Sequence, residues 1–415
     1  MSIIEGWKTQ YLGSIAHLTM GQSPDSKYYS TDDKKGMPFL QGCAEFKSRF
    51  PVPSLFCSQA KKTAKSGSIL FSVRAPVGKI NIADRDYIIG RGLAAISGVE
   101  VDQIYLEHYL SFVEAKFSNA SQGSTFEAIN SSELNGCPIE YPTSKPEQTK
   151  IAEILSTVDR AIEQTGALIA KQQRIKTGLM QDLLTRGIDE HGNLRSEQTH
   201  KFKDSSLGRI PVEWEVKLLE KVIEVIDCKH YTPDYVEGGI PIIRPRNIKE
   251  SGLDFSDIDY VSEDDYTFLT DKHEPKEGDI IFSRNASFGI PVYVEEIGRF
   301  SIGQDVVVMT QRSADTRFIF YSLKSQRVVT QIMNSSGGST FGRIDLGAIR
   351  ALKVALPKSK NEQHEIAKRL MKCDELIKTT IVELKKLRSL KTALMQDLLT
   401  GKKRVTALLN EREVI

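Results

Sequence analysis

No stretch of the chain approaches 18 consecutive apolar residues, so none is a candidate for a membrane-spanning helix. The five cysteines (Cys43, Cys57, Cys137, Cys228 and Cys373) form no C-x-x-C pair. That gives no metal framework and fits a reducing cytoplasm. Met1 to Trp7 has no apolar core, so no signal peptide is expected there. Charge of one sign is not in excess either. The 56 Lys and Arg stand against 54 Asp and Glu, a net charge of +2. A basic face can be offset by acidic surface elsewhere, so this balance neither supports nor excludes a nucleic-acid partner.

Catalytic signatures are missing as well. Gly78-Lys79 is followed by Ile80 and has no glycine at the spacing a phosphate-binding loop requires. There is no G-x-S-x-G elbow, no H-E-x-x-H and no N-P-P-[YF]. The seven histidines are dispersed, with no metal-ligand spacing. The expectation is a chain with no catalytic residue, no metal site and no cofactor of its own.

What the chain does contain is a duplication. Leu179-Met180-Gln181-Asp182-Leu183-Leu184-Thr185 recurs residue for residue as Leu394-Met395-Gln396-Asp397-Leu398-Leu399-Thr400, an offset of 215 residues. Chance identity over seven positions is very improbable, so the repeat organises the reading. Residues 144–185 and 359–400 share 20 of 42 positions, whereas the preceding globular stretches share only scattered motifs. Gly67 to Ser72 is answered by Gly278 to Ser283, and Gly36 to Leu40 by Gly239 to Ile243. Ser121-Gln122-Gly123-Ser124-Thr125-Phe126 is answered by Ser336-Gly337-Gly338-Ser339-Thr340-Phe341.

The globular stretches read as mixed α and β. Ser68 to Val73 predicts a buried strand. Lys79 to Ala83 alternates with period two and predicts a half-buried one. Tyr105, Leu106, Tyr109, Leu110, Val113 and Phe117 share a helical face. Each globular stretch leads into a long helix. Ser144-Lys145-Pro146-Glu147 and Ser359-Lys360-Asn361-Glu362 read as capping boxes. Ile151, Leu155, Val158, Ile162, Ile169, Ile175, Leu179 and Leu183 then advance by threes and fours. So do Ile366, Leu370, Cys373, Ile377, Leu384, Leu387, Leu390, Leu394 and Leu398. Each narrow apolar seam predicts a coiled-coil rod of roughly 60 Å that needs a partner. Spacing alone leaves parallel and antiparallel pairing open. The expected domains are 1–143, a helix 144–186, a polar connector 187–213, 214–358, a helix 359–401 and a tail 402–415.

Two copies that keep a scaffold and differ in surface suit two domains that read different targets. Several groups fit DNA. Arg74 and Lys79 flank one loop. Arg244, Arg246 and Asn247 follow a strand, and Arg284 and Asn285 end another. Arginine reads guanine and amides read adenine. Gln122, Ser124, Thr125, Ser339, Thr340 and Arg343 lie in or beside small turns that offer donors to phosphate.

The assembly resembles the specificity subunit of a type I restriction-modification enzyme over essentially the whole chain. The marks are Gly6-Trp7 and Glu213-Trp214, the two S-T-F turns, and a proline five residues before Glu147-Gln148 and Glu362-Gln363. The endings Lys176 to Thr185 and Lys391 to Thr400 and the restart Leu207-Gly208-Arg209-Ile210-Pro211-Val212-Glu213-Trp214 complete the pattern. Cys228 to Pro233 also looks like the opening loop of many recognition domains in that family. The resemblance implies an α+β architecture: two target recognition domains separated by two long helices in an antiparallel coiled coil, with an internal pseudo-two-fold repeat. It implies reading of a bipartite, asymmetric double-stranded DNA site in the cytoplasm. It further implies two methyltransferase subunits using S-adenosylmethionine for adenine methylation, and two restriction subunits using ATP and Mg. The competing reading is a coiled-coil adaptor that presents two protein-binding domains.

Overall fold

The computed structural model describes residues 4–122, 128–285, 289–295, 298–335 and 342–410. The chain forms two units, Met1–Ala167 with Val382–Ile415, and Leu168–Ile381. Among the described residues no helix is long and apolar enough to cross a membrane.

In the first unit, β1 (Trp7–Tyr11), β2 (Ala16–Met20), β3 (Met37–Leu40), β4 (Ile69–Ser72), β5 (Ile80–Ile82), β6 (Tyr87–Ile89), β7 (Leu93–Gly98) and β8 (Pro138–Pro142) are the main strands. The principal sheet has the order β2-β7-β4-β5 and is antiparallel throughout. Strand β3 runs parallel to β6 in a second sheet, and β1 pairs with β8. The strand expected over Ser68 to Val73 spans Ile69–Ser72 and is buried along its whole length. At β5 the polar residue points inward: Asn81 is buried and its Nδ2 donates to the Lys47 carbonyl at 2.9 Å. The helix Gln103–Gln122 lays Tyr105, Leu106, Tyr109, Leu110 and Val113 into the core.

The second unit repeats this plan. Its strands are β9 (Trp214–Leu218), β10 (Ile223–Asp227), β11 (Ile240–Ile243), β12 (Ile280–Ser283), β13 (Pro291–Tyr293), β14 (Ser301–Ile302), β15 (Val306–Gln311) and β16 (Lys353–Pro357). The principal sheet has the order β10-β15-β12-β13, β11 is parallel to β14, and β9 pairs with β16.

Two 39-residue helices, Lys145–Leu183 and Lys360–Leu398, each contribute one half to each unit. In the first unit Asp159 meets Lys391 at 2.6 Å and Glu147 meets Arg404. In the second, Gln172 donates to Thr380 at 3.2 Å and Lys176 pairs with Asp374. Numbers rise along one helix as they fall along the other, so the pairing within each unit is antiparallel. Ile151, Leu155, Leu183, Ile366, Leu370, Ile377 and Leu398 are buried, and Val158, Ile162, Ile169, Leu179, Leu384 and Leu394 are half-buried. Two expected seam positions are not in the seam: Ile175 is 53% exposed and Leu390 48%. Gln172 and Thr380 are buried instead, a polar pair that the apolar period did not reveal.

The repeated heptapeptide closes each unit. Leu183 and Leu184 join the core around Trp214, and Leu398 and Leu399 join the core around Trp7. Each buried leucine contributes about 1.5–3 kcal/mol. A glycine follows in both cases, Gly187 at φ +62° and Gly401 at φ +68°. A Cβ on Gly187 would lie 2.6 Å from the Trp214 ring, and one on Gly401 3.0 Å from the Trp7 ring. Both the left-handed turn and the close approach therefore require glycine.

Two expectations are corrected here. Ser144 and Ser359 do cap their helices, each accepting the N–H three residues on at 3.4 Å. Glu147 and Glu362, however, do not close local capping boxes. Both are buried and bind arginines: Arg404 grips Glu147 at 2.6 and 2.7 Å, and Arg195 grips Glu362 through both oxygens. Trp214 Nε1 adds a third donor to Glu362 at 3.0 Å. The stretch 187–213, expected to be a polar connector, supplies the core residues Ile188 and Ile210 as well as the buried Arg195.

Candidate nucleic-acid interface

One end of each principal sheet gathers several of the candidate residues, and a set of backbone hydrogen bonds there recurs in both units. Ser72 pairs with Leu93 across β4 and β7, as Ser283 pairs with Val306 across β12 and β15. Ser72 Oγ donates to the Arg74 carbonyl at 2.7 Å, and Ser283 Oγ donates to the Asn285 carbonyl at 2.7 Å. The N–H of Gly78 reaches Ser72 O at 3.0 Å, and that of Gly289 reaches Ser283 O at 3.0 Å. Gly90 N–H donates to Leu40 O and Gly303 N–H to Ile243 O, both at 2.8 Å. Isolated bridges join Arg74 to Ala128 and Asn285 to Arg343. These matched bonds make Arg74 the counterpart of Asn285, and Arg91 the counterpart of Gln304.

The side chains on that shared frame differ. In the first unit Arg74 and Arg91 are exposed, and no carboxylate among the described residues pairs with either guanidinium. Lys79 is exposed and pairs with Glu114 at 2.5 Å. In the second unit Asn285 Nδ2 contacts Asp305 at 3.3 Å, and Arg343 pairs with the same carboxylate at 2.8 Å. Asp305 sits at φ +61° between Gln304 and β15. Gln304 is exposed, and its Nε2 donates to Thr232 Oγ1 at 2.8 Å.

Arg244 and Arg246 both converge on Asp259, each at 2.9 Å. Burial alone would raise the Asp259 carboxyl, but the hydrogen bond from Arg244 and the charge of Arg246 hold it below its ordinary value. Both guanidinium groups remain about 40% exposed, 40% for Arg244 and 43% for Arg246, and Arg244 lies over the Tyr235 ring.

Two sequence candidates are structural instead. Arg284 is buried, with NH1 on Asp227 at 2.9 Å and Nε on the Ile344 carbonyl at 3.2 Å. Asn247 is buried; its Nδ2 donates to the Asp254 and Asp257 carbonyls and its Oδ1 accepts Arg244 N–H. Neither can reach a duplex without dismantling its own loop. Ser124, Thr125, Ser339 and Thr340, with the side chain of Gln122, lie outside the described residues. Sequence reasoning missed Arg91 and Gln304. Gly90-Arg91-Gly92 was a legible signal, since flanking glycines commonly mark a displayed loop residue. A cleft of about 310 Å³ in the first unit, lined by His17, Lys61, Lys62 and Lys65 among others, was also missed. His17, Ala95 and Ser97, which share the cleft with those lysines, are distant from them in sequence.

The family model for the type I restriction modification DNA specificity domain matches residues 4–171 and again 211–386. The chain belongs to that specificity-domain family. Each match spans one globular stretch and most of the helix that follows it. Among relatives of this specificity chain, the MjaX sequence of Methanocaldococcus jannaschii, named as a type I restriction enzyme specificity subunit, is 37% identical over 190 residues. The match covers 45% of this chain, and the chain spans 44% of that relative's length. The EcoDI specificity subunit of Escherichia coli is 24% identical, covering 88% of this chain and 80% of its own. In fold, the chain resembles the crystal structure of a type I restriction-modification S subunit from M. genitalium. The TM-score is 0.62 at 18% identity, covering 96% of this chain and 98% of that one.

Proposed function

We propose that this chain is the DNA-recognition subunit of a type I restriction-modification complex and carries out no catalysis itself. The observation that carries the reading is the doubled specificity domain, in which one hydrogen-bonded frame displays different side chains in its two copies. A single scaffold with two surfaces is what reading a bipartite, asymmetric site requires. Arg74, Lys79, Arg91, Arg244, Arg246, Asn285, Gln304 and Arg343 are the groups that meet the duplex. Some contact bases and others position phosphates.

The paired helices serve as the spacer. At 39 residues each spans about 58 Å, and half-sites read from one side of a duplex lie about 34 Å apart. Two methyltransferase subunits supply S-adenosylmethionine and adenine methylation, and two restriction subunits supply ATP- and Mg-dependent cleavage, all in the cytoplasm.

The test is a gel shift of the full chain together with methyltransferase subunits from the same cells. One duplex sequence is expected to outcompete random DNA, with affinity falling steeply as salt rises. Binding with no sequence preference would remove the specificity reading. It would favour the alternative of an adaptor that holds two protein-binding domains.

A further inference from the structure

We infer that the cross-strand pair at the end of each principal sheet reads bases, and that the two domains read different ones: guanine through Arg74 and Arg91 in the first, adenine through Gln304 beside Asn285 in the second. This rests on the DNA-recognition reading and assigns chemistry to its two halves.

The register places the pairs. Ser72 lies opposite Leu93, and Arg74 is two residues beyond the one while Arg91 is two residues before the other. Ser283 lies opposite Val306, with Asn285 and Gln304 at the same two steps. Arg91 and Gln304 lie in the turns that lead into β7 and β15, just past the ladder, so each pair sits at the same end of its sheet. The frame holds each pair at a fixed site: Val73 N–H donates to Gly92 O at 3.0 Å, and Arg284 N–H to Asp305 O at 2.8 Å, directly behind the displayed residues. These hydrogen bonds recur, whereas the side chains differ and the backbone departs at Asp305, which takes φ +61° where Gly92 does not.

The chemistry of the change is directional. A guanidinium has donors only, and its fork matches the O6 and N7 acceptors of guanine. Arg74 and Arg91 are exposed and carry no carboxylate partner among the described residues, so binding DNA breaks no ion pair with any of those. A carboxamide has both a donor and an acceptor, which match N7 and N6–H of adenine. Gln304 commits one N–H to Thr232. That bond fixes the amide plane and leaves the second N–H and Oε1, the two atoms adenine requires. In the second domain Asp305 stands where the first has Gly92, and it holds Asn285 and Arg343. A second guanidinium is thereby drawn away from the bases.

The experiment selects binding sites from a randomised duplex library, using the full chain assembled with its methyltransferase subunits. Wild type, Arg91→Gln and Gln304→Arg are compared. Wild type is expected to enrich two separated half-sites. Arg91→Gln should lose preference for guanine at one position of one half-site, by about tenfold or more, with the other half unchanged. Gln304→Arg should lose an adenine preference in the opposite half alone. Both positions are exposed, and matching melting curves would exclude a folding defect. Uniform weakening across all sequences would assign these groups to phosphates and overturn the inference; so would an unchanged pair of half-sites. If wild type enriches no sequence, the DNA-recognition reading itself fails and takes the base assignment with it.

Discussion

Glu362 shows how a local motif can conceal a distant contact. Read in sequence, serine followed three residues later by glutamate is a capping box. In the structure the glutamate is held by Arg195, 167 residues away in sequence, and by Trp214. The true capping box in the first unit is Asn130 with Glu133, at a short helix that carries little apolar signal. Buried ion pairs add little net stability, but losing one partner strands the other charge. Arg195→Met is therefore expected to cost about 3–5 kcal/mol in urea unfolding of the full chain. Adding Glu362→Leu should recover much of that loss. His108 offers a second test. It is buried, with Nε2 3.1 Å from Ser156 Oγ, and it faces Asp159 and Lys391 from the two long helices. Burial lowers its pKa from 6.5 to about 4, and the Asp159 charge offsets this only in part. The folded chain thus binds fewer protons than the unfolded one between those values. Stability is expected to be full above pH 6.5 and to fall by on the order of 2–3 kcal/mol as the pH drops towards 4. His108→Gln should flatten that slope in melting curves recorded across the pH range.

The long helices were the most legible elements, because their apolar positions recur over many turns and seven residues repeat without change. The heptapeptide is preserved because each copy meets the same surroundings, a tryptophan from a first strand and the start of a long helix. What periodicity could not show is which residues lie in the seam at the middle of the rods. Ile175 and Leu390 fit the period within tolerance, yet small drifts of a 3.6-residue helix against the seam carry them outward. Gln172 and Thr380 take the inside positions and meet each other. Gln172 Oε1 is buried with no hydrogen-bond partner among the described residues. Such polar pairs fix register at a cost in stability. Thr380→Val alone is expected to destabilise by about 1–3 kcal/mol, since it leaves the Gln172 amide unpaired. Gln172→Leu with Thr380→Val should raise the melting temperature above wild type.

At the scale of the molecule, the duplication, the mixed α and β class and the two long helices could be read from sequence. The sheet-end pairs could not, because Arg74 and Arg91 are 17 positions apart and come to one end of the sheet through the β4–β7 register beside them. Arg284 and Asn247 were mistaken for surface groups because sequence does not reveal that Asp227 and the 254–257 loop surround them. A chimera tests modularity. Replacing residues 1–141 by those of another family member retains Glu147 and Arg404 and should alter one half-site only. Methylome sequencing of cells carrying the chimera would read this out, and a change in both halves would refute independent domains. The position of Arg404 also bears on how the protein is made. The core of the first unit includes Met395, Leu398, Leu399 and Val405, and its helix start is gripped by Arg404, 257 residues after Glu147. A ribosome adding about 5–20 residues per second delivers those side chains many seconds after Trp7. In the meantime the nascent first domain presents an unfilled apolar socket, while the second finds Leu183, Leu184 and Arg195 already waiting. The domain translated last is thus the first that can close, and the one translated first spends longest within reach of chaperones and proteases.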